Sequence, residues 1–296
     1  MSLDAIFLQL LTGLQLGAVY ILVALGLTLI FGTLGIANFS HGALYLIGGY
    51  VGYVIAAQLG WIWGVILVPF ILFGVGILFD RFLLQFFYKR PVTDQILVTF
   101  GLALIIQEIA RWIFGGTALQ FSVPMWAIFP ADISGYIPGV ERLRFPPLRL
   151  LTIAITLACV IGLYVLLQFT RFGLVVRAAM RDPQMVRHLG INSTRVFTIV
   201  VGLGAAFAGI AGMMGGSMFT ISPEEGMLRL VPAFLVVVIG GMGSIAGAVL
   251  AGLLMGMANI ATVALYPQFA EVVIYFVAVV VLSIRPRGFF GKKGVG

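Results

Sequence analysis

Nine apolar segments take up most of this sequence, and they limit what it can fold into more than any motif does. They are Ala5–Leu34, Gly42–Gln58, Ile62–Phe79, Ile96–Phe114, Leu148–Phe169, Val196–Ser217, Leu228–Gly241, Ser244–Leu265 and Phe269–Ile284. Most reach the roughly 17–25 residues with which an apolar helix crosses a hydrocarbon core. Of the 296 residues, 61% are hydrophobic and 9% charged, with a mean hydropathy of +1.16. A water-soluble domain has no interior large enough to hide that much apolar surface. The chain is therefore expected to be an all-α polytopic membrane protein, a single transmembrane domain over residues 1–296, with about eight or nine transmembrane or re-entrant helices. The net charge of +7 sits at segment ends, which is the pattern of membrane topology and not of nucleic-acid binding. The single Cys159 lies in an apolar run and leaves no disulfide or cysteine metal site within the chain. The opening MSLDAIFLQL lacks a basic stretch, and the apolar run behind it is too long for a signal peptide.

Charge fixes the expected orientation. The loop Arg171–Arg195 holds Arg171, Arg177, Arg181, Arg187 and Arg195 against Asp182 alone. The tail 285–296 holds Arg285, Arg287, Lys292 and Lys293, and the loop Asp80–Asp94 has Arg81, Lys89 and Arg90 against its two aspartates. On the other parity lie Asp4, Glu224, Glu225 and Glu271, while the long loop Gly115–Pro147 is neutral, Asp132 and Glu141 offsetting Arg142 and Arg144. Basic loops face the cytoplasm, so the N-terminus is expected outside and the C-terminus inside. That requires an odd number of crossings: nine if Leu228–Gly241 crosses, seven if Leu228–Leu265 enters and leaves on one side. A single straight helix over Leu228–Leu265 would put the basic tail outside and is excluded.

Two stretches share a plan. Residues 24–52 read ALGLTLIFGTLGIANFSHGALYLIGGYVG and residues 233–256 read AFLVVVIGGMGSIAGAVLAGLLMG. Each is an apolar run, a glycine-rich break holding Ser40 or Ser244, and then a helix spaced by Gly and Ala. Under the topology above both descend before the break, which makes a weak parallel repeat. Interrupted helices at matching places in two halves are a pointer to a transport path; two unrelated helices softened by glycine would look the same. In the first break Asn38, Ser40 and His41 precede Gly42. They are expected to cap the next helix and satisfy backbone freed by the interruption, with ligand binding as the other role. Glycine pairs four apart (Gly48/Gly52, Gly212/Gly216, Gly243/Gly247 and Gly252/Gly256) allow close helix packing.

The loop Arg171–Arg195 contains a short helix with a start and a stop. Asp182 can cap it, Pro183 suits its first position, and Gly190 can take the left-handed conformation that ends it. Between them Met185, Val186 and Leu189 fall on one side, and Ile191 can fold back onto Val186. Such a helix fits a groove on a partner protein; a surface helix held by anionic membrane lipid has the same pattern.

Catalytic chemistry finds little in this sequence. His41 and His188 are far apart, no HExxH or paired-carboxylate spacing occurs, and none of Lys89, Lys292 and Lys293 follows a glycine-rich phosphate loop. If ATP powers this protein, another subunit binds it. Glu108 and Arg111 are three apart and read as a neutralised pair beside Gln107, and Asn259 reads as a helix–helix hydrogen-bonding amide.

The stretches GLTLIFGTLGIANFSHGALYLIGGY, VRAAMRDPQMVRHLGINSTRV, VVVIGGMGSIAGAVLAGLLMG and IRPRGFFG resemble the permease subunits of branched-chain amino-acid ABC importers, specifically the shorter of the two permeases. The likeness runs from end to end, and IANFSHG with the GIN of the loop is its most specific part. It implies a multi-pass protein of the bacterial inner membrane that pairs with a second related permease chain. It further implies two cytoplasmic ATPase subunits that bind ATP and magnesium, no cofactor on this chain, and a periplasmic protein that delivers leucine, isoleucine or valine. The coupling helix of the family corresponds here to Arg181, Asp182, Pro183, Met185, Val186, Arg187, Leu189 and Gly190. Met185, Val186 and Leu189 would fill the ATPase groove, and Arg181 and Arg187 would meet its acidic rim. The translocation path would be lined by Thr33–Gly42, with Asn38, Ser40 and His41, and by Gly240, Gly241, Gly243 and Ser244. Urea, short amides or aromatic acids are alternative cargoes of the same machine. A stand-alone secondary transporter and an intramembrane enzyme are rivals from other classes. The first would show an intramembrane ion site without a docking loop, the second a catalytic cluster at depth.

Overall fold

A computed structural model describes residues 3–88, 90–132, 134 and 143–291. Lys89, Glu141, Arg142, Lys292 and Lys293, which contribute to the expected orientation, lie outside those residues. The described chain is almost wholly helical, as its composition predicts. Seven helices are long and apolar enough to cross a membrane: α1 (Leu3–Leu34), α2 (His41–Leu59), α3 (Trp61–Phe82), α4 (Val92–Phe114), α6 (Pro147–Phe169), α9 (Ser193–Met218) and α11 (Ile245–Leu265). Two shorter apolar helices, α10 (Glu225–Gly240) and α12 (Val273–Ile284), complete the bundle. Between them come α5 (Met125–Ile128), a small antiparallel pair β1 (Ala131–Asp132) and β2 (Arg144–Phe145), and two polar helices, α7 (Arg171–Arg181) and α8 (Pro183–His188).

Helix α1 forms the core. It is apolar on every side and buried along most of its length, with α6, α9, α10 and α11 packed around it. A helix that is hydrophobic all round belongs inside a bundle. Small residues let its neighbours come close. A Cβ on Gly256 would lie 2.3 Å from the Gly17 nitrogen, and one on Gly17 would lie 2.9 Å from the Gly252 carbonyl oxygen. Lipid offers apolar side chains nothing they lack in a protein, so such backbone approach is a main source of association between membrane helices.

These contacts give the direction of each pass. Gly13 meets Met257 and Gly32 meets Gly243, so α1 and α11 are antiparallel. Gly64 meets Met213 and Gly76 meets Gly202, so α3 and α9 are antiparallel too. Helix α10 leaves the end of α9 where the Phe219 ring covers Arg229, and it reaches the break beside Gly32. It therefore runs from beside Gly42, at the depth of the first break, to the end of the bundle where α1 finishes. Among the described residues the bundle thus holds nine apolar helices, seven of them long enough to cross a membrane.

After α12 the chain turns back to the foot of α10. The Phe289 and Phe290 N–H groups donate to the Ile239 and Gly240 carbonyls (2.8 and 3.1 Å), and Gly288 takes φ +73 to make the turn. Those carbonyls have no partner inside their own helix. The tail therefore sits at the same end as the α10–α11 break and, through the contact of α7 with α1, as α7 and α8. That is the basic end of the bundle.

Several segment boundaries differ from expectation by three or four residues, the starts of the fourth and sixth and the end of the third among them, and two of the shifts have a visible cause. The seventh starts three residues earlier, at Glu225, because Glu225 and Arg229 pair along the helix (2.9 Å). The ninth starts its helix four residues later, at Val273, because Pro267–Phe269 form a 3-10 turn and Asn259 Nδ2 donates to the Ala270 carbonyl (2.8 Å). Asn259 thus ties a helix to a connection and not to another helix. Replacing Gly256 with Val places two methyl groups where the α1 backbone lies. It is expected to destabilise the purified protein by about 1–3 kcal/mol, read as a lower midpoint of thermal unfolding in detergent; an unchanged midpoint would contradict the packing described.

Candidate functional site

The first break lies deep in the bundle. After α1 the chain runs through residues 35–40 back alongside the helix it has just left, and α2 begins at His41. The His41 ring is buried, with Nε2 3.1 Å from the Val23 carbonyl oxygen. Val23 is eleven residues above the end of α1, about 16 Å at helical rise and roughly half a hydrocarbon core. On the way Phe39 N–H donates to Thr99 Oγ1 on α4 (3.1 Å), and the Phe39 ring meets Phe234 on α10.

Asn38 organises the turn. Its side-chain oxygen accepts the Ser40 N–H (3.1 Å) and also the Ser40 hydroxyl. Ser40 is thus spent on Asn38 and gives α2 no side-chain cap. The expectation that Asn38, Ser40 and His41 cap the helix is revised: they stabilise the turn before it. Among the described residues, Asn38 Nδ2 and His41 Nδ1 have no hydrogen-bond partner although both side chains are at most 2% exposed. Buried polar atoms seldom stay unpaired, which makes this a polar spot at depth with capacity to spare. Backbone closes it on one side: a Cβ on Gly42 would meet the Gly226 carbonyl oxygen at 2.3 Å, so only glycine lets α2 and α10 touch here.

The second break is a different object. Gly241 and Gly243 take φ +95 and +83, and Ser244 caps α11 by accepting the Gly247 N–H (3.1 Å). Gly240 packs against Gly247, Gly243 lies against Gly32 near the end of α1, and Met242 is exposed. Gly240, Gly241, Gly243 and Ser244 therefore stand at the basic end, not at mid-depth. The two stretches of the repeat run in the same directions, but their breaks are not level. The structure does not bring Asn38, Ser40 and His41 together with Gly240–Ser244.

The basic loop folds as its sequence spells out. Asp182 Oδ1 accepts the Gln184 and Met185 N–H groups (2.9 Å each), and Pro183 opens α8. At the other end Gly190 takes φ +79. Its N–H donates to the Arg187 carbonyl (2.9 Å) and the Ile191 N–H to the Val186 carbonyl (3.2 Å), the pair of bonds that closes a helix on glycine. Arg181 ends α7 and is exposed. The three apolar residues of α8 do not share a face. Met185 and Leu189 are 57% and 72% exposed, whereas Val186 is 3% exposed and turned into its own chain. Val186 therefore cannot enter a partner's groove; it seats α8 on the bundle. Arg187 is also engaged at home, donating from Nε to Ser193 Oγ (2.8 Å).

A second polar group follows on α9, reached through Thr194, whose hydroxyl meets Arg187 and whose carbonyl meets Thr198. Thr198, little more than one turn on, donates to Asp80 Oδ2 of α3 (2.6 Å). Gln85 Nε2 donates to the same oxygen (3.0 Å), and the Tyr88 hydroxyl donates to Asp80 Oδ1. Asp80 is fully buried, and among the described residues its partners are hydroxyls and an amide, not a cation. Burial, and next the bond to Asp80, push the Tyr88 phenol well above its usual pKa. The network clamps the ends of α3 and α9 directly behind α8. Sequence reading missed it because Asp80 counted only as a loop charge; a carboxylate at the end of an apolar run was the available signal.

At the opposite end Arg111 pairs with Glu108, as expected, and also with Glu224 Oε1 (2.7 Å). The bond from Arg111 holds the Glu224 carboxyl below its usual pKa. These groups are well exposed and form a clasp between α4 and the entry to α10. The Glu225–Arg229 pair of α10 was also missed. Its signal was Glu-x-x-x-Arg running into an apolar segment.

A family described as "Branched-chain amino acid transport system / permease component" matches residues 9–282. BraD of Pseudomonas aeruginosa, a high-affinity branched-chain amino acid transport system permease protein, is 28% identical, with 97% of this chain and 96% of that one covered. LivH of Escherichia coli K12, named in the same words, is 28% identical over the same shares. A probable LivH of Methanocaldococcus jannaschii is 29% identical over 92% and 88%. No solved structure matches the chain.

Replacing Asp80 with Asn would turn an amide NH2 toward groups that now donate to a carboxylate. The expected loss is about 2 kcal/mol or more, seen as a lower thermal midpoint, with Thr198→Val losing less; wild-type stability in Asp80→Asn would remove the clamp.

Proposed function

This chain belongs to the permease components of branched-chain amino acid transport systems, and on that premise we propose that it is a membrane-spanning subunit of an ATP-driven importer carrying leucine, isoleucine and valine. It works beside a second, related permease. The likeness of LivM of Escherichia coli K12, 26% identical over 80% of this chain, supports a pairing between relatives. Two ATPase subunits supply the hydrolysis and hold the ATP and magnesium, and this chain carries no cofactor. A periplasmic protein brings the amino acid to the acidic end, and the basic end faces the cytoplasm.

The observation that carries this reading is α8. It is a short helix capped at both ends that projects Met185 and Leu189 into water at the basic end of an apolar bundle. Two large apolar side chains held out from a rigid seat suit a partner's groove. Val186 and Arg187 make the seat, so motion of the partner is passed to α9 and, through Thr198 and Asp80, to α3. The result is a rigid-body change of the bundle between outward and inward access. The amino acid passes the α2 break, where the α2 N-terminus, Asn38 Nδ2 and His41 Nδ1 offer polar contacts at depth. Selectivity among cargoes rests mainly with the binding protein.

The test is Leu189→Asp. The variant is expected to insert normally, while leucine uptake by proteoliposomes holding the complete complex and ATP falls about tenfold or more. Full uptake in that variant would mean that α8 does not couple, and the membrane-surface alternative would take its place.

A further inference from the structure

The Glu225–Arg229 pair is a charged group in the bundle to which neither α8 nor the α2 break gives a task. It sits in the first turns of α10, where Gly226 is pressed against Gly42 of α2. Arg229 Nε donates to Glu225 Oε2 at 2.9 Å, and the two side chains are 19% and 15% exposed. They are therefore mostly withdrawn from solvent but not sealed from it. The guanidinium carbon lies 4.7 Å from the centroid of the Phe219 ring, and Tyr45 and Tyr20 are within its electrostatic reach.

An ion pair is an expensive way to hold a helix that could pack on apolar residues alone, since a hydrophobic substitute of similar volume generally does as well. Inside a membrane protein such charges commonly mark a ligand path. Nε of Arg229 is committed to Glu225 and the guanidinium also hydrogen-bonds Tyr45, so a carboxylate would grip the outer fork with two parallel bonds by taking the place of the tyrosine hydroxyl. Glu225, with Oε2 bonded to Arg229, has Oε1 to offer an ammonium. An α-amino acid carries those two groups on one carbon, and the surrounding rings suit an aliphatic side chain.

We propose that Glu225 and Arg229 form the polar end of a transient site for a zwitterionic α-amino acid, Arg229 taking its carboxylate and Glu225 its ammonium, with Phe219, Tyr45 and Tyr20 beside its side chain. This rests on the transport reading above and deepens it by naming residues that touch the cargo. The site lies one turn of α10 from Gly226 and so borders the α2 break, where the path narrows. Movement of α10 against α2 would alter both together.

The experiment measures the maximal rate of radiolabelled leucine uptake by proteoliposomes holding the complete complex, with saturating binding protein outside and ATP inside. Arg229→Gln and Glu225→Gln are each expected to lower that rate about tenfold or more. The reversed pair, Glu225→Arg with Arg229→Glu, restores an ion pair at the same spacing but presents its charges the wrong way round. It is expected not to recover uptake. Recovery in the reversed pair would show that the two residues only brace the helix and would overturn the proposal, as would a wild-type rate in either single variant. If a variant fails to assemble, Arg229→Lys keeps the charge and loses the fork; a tenfold lower rate is expected there, and a wild-type rate overturns the proposal. Failure of the wild-type complex to take up leucine at all would overturn the transport reading and this site with it, and is recognised before any variant is measured.

Discussion

Everything in this bundle depends on how closely other backbones approach α1. The helix has no polar face to turn to water or to lipid headgroups, so it is stable only when surrounded. The contact of Gly13 and Gly17 with α11 brings two main chains together without side chains between them. That approach fixes the line of α11, and α11 with its break fixes α10. Helix α9 is placed in the same way on the other flank, where a Cβ on Gly26 would meet the Gly204 carbonyl oxygen at 2.5 Å. Once α1, α9, α10 and α11 are set, α2 has one slot left, entered from the middle of the core and not from its edge.

That entry separates the two halves of the apparent repeat. Both are helix, break, helix, and both run in the same directions. The first break spans six residues and climbs back about half the core, whereas the second turns in four at the bundle's end. The difference shows in the serines: Ser244 caps its helix, and Ser40 is drawn to Asn38. A deep break needs its own internal bonds because no water reaches it, while a shallow one can use the next turn of its own helix.

Features set by neighbours in the chain are legible from the residues alone. Asp182, Pro183 and Gly190 spell out α8 to the residue, since capping needs only bonds within a few positions. Hydropathy and charge place the passes and put the basic loop and tail at one end. What stays hidden in the sequence is anything that joins distant positions. Arg111 finds Glu224 across 113 residues, and Asp80 finds Thr198 across 118. Val186 turns inward for a related reason: three residues on a helical stripe say that a face exists, but what covers each part of it is a tertiary matter. The depth of the breaks is hidden as well, because glycine and serine look alike at the middle of a membrane and at its edge.

The foot of α10 has a consequence for how the protein is made. Its final carbonyls, at Ile239 and Gly240, are met by N–H groups of Phe289 and Phe290, which leave the ribosome some fifty residues later. Until then this helix, the one that carries Glu225 and Arg229, has an open end whose last carbonyls no part of the chain meets. The inner half of the bundle cannot be completed as the chain emerges and has to wait for α11 and α12 to be threaded. Because the bonds run through main chain, a proline at position 289 or 290 would remove one of them. A chain stopped before residue 289 therefore lacks the bonds that close α10, even with every apolar segment in place.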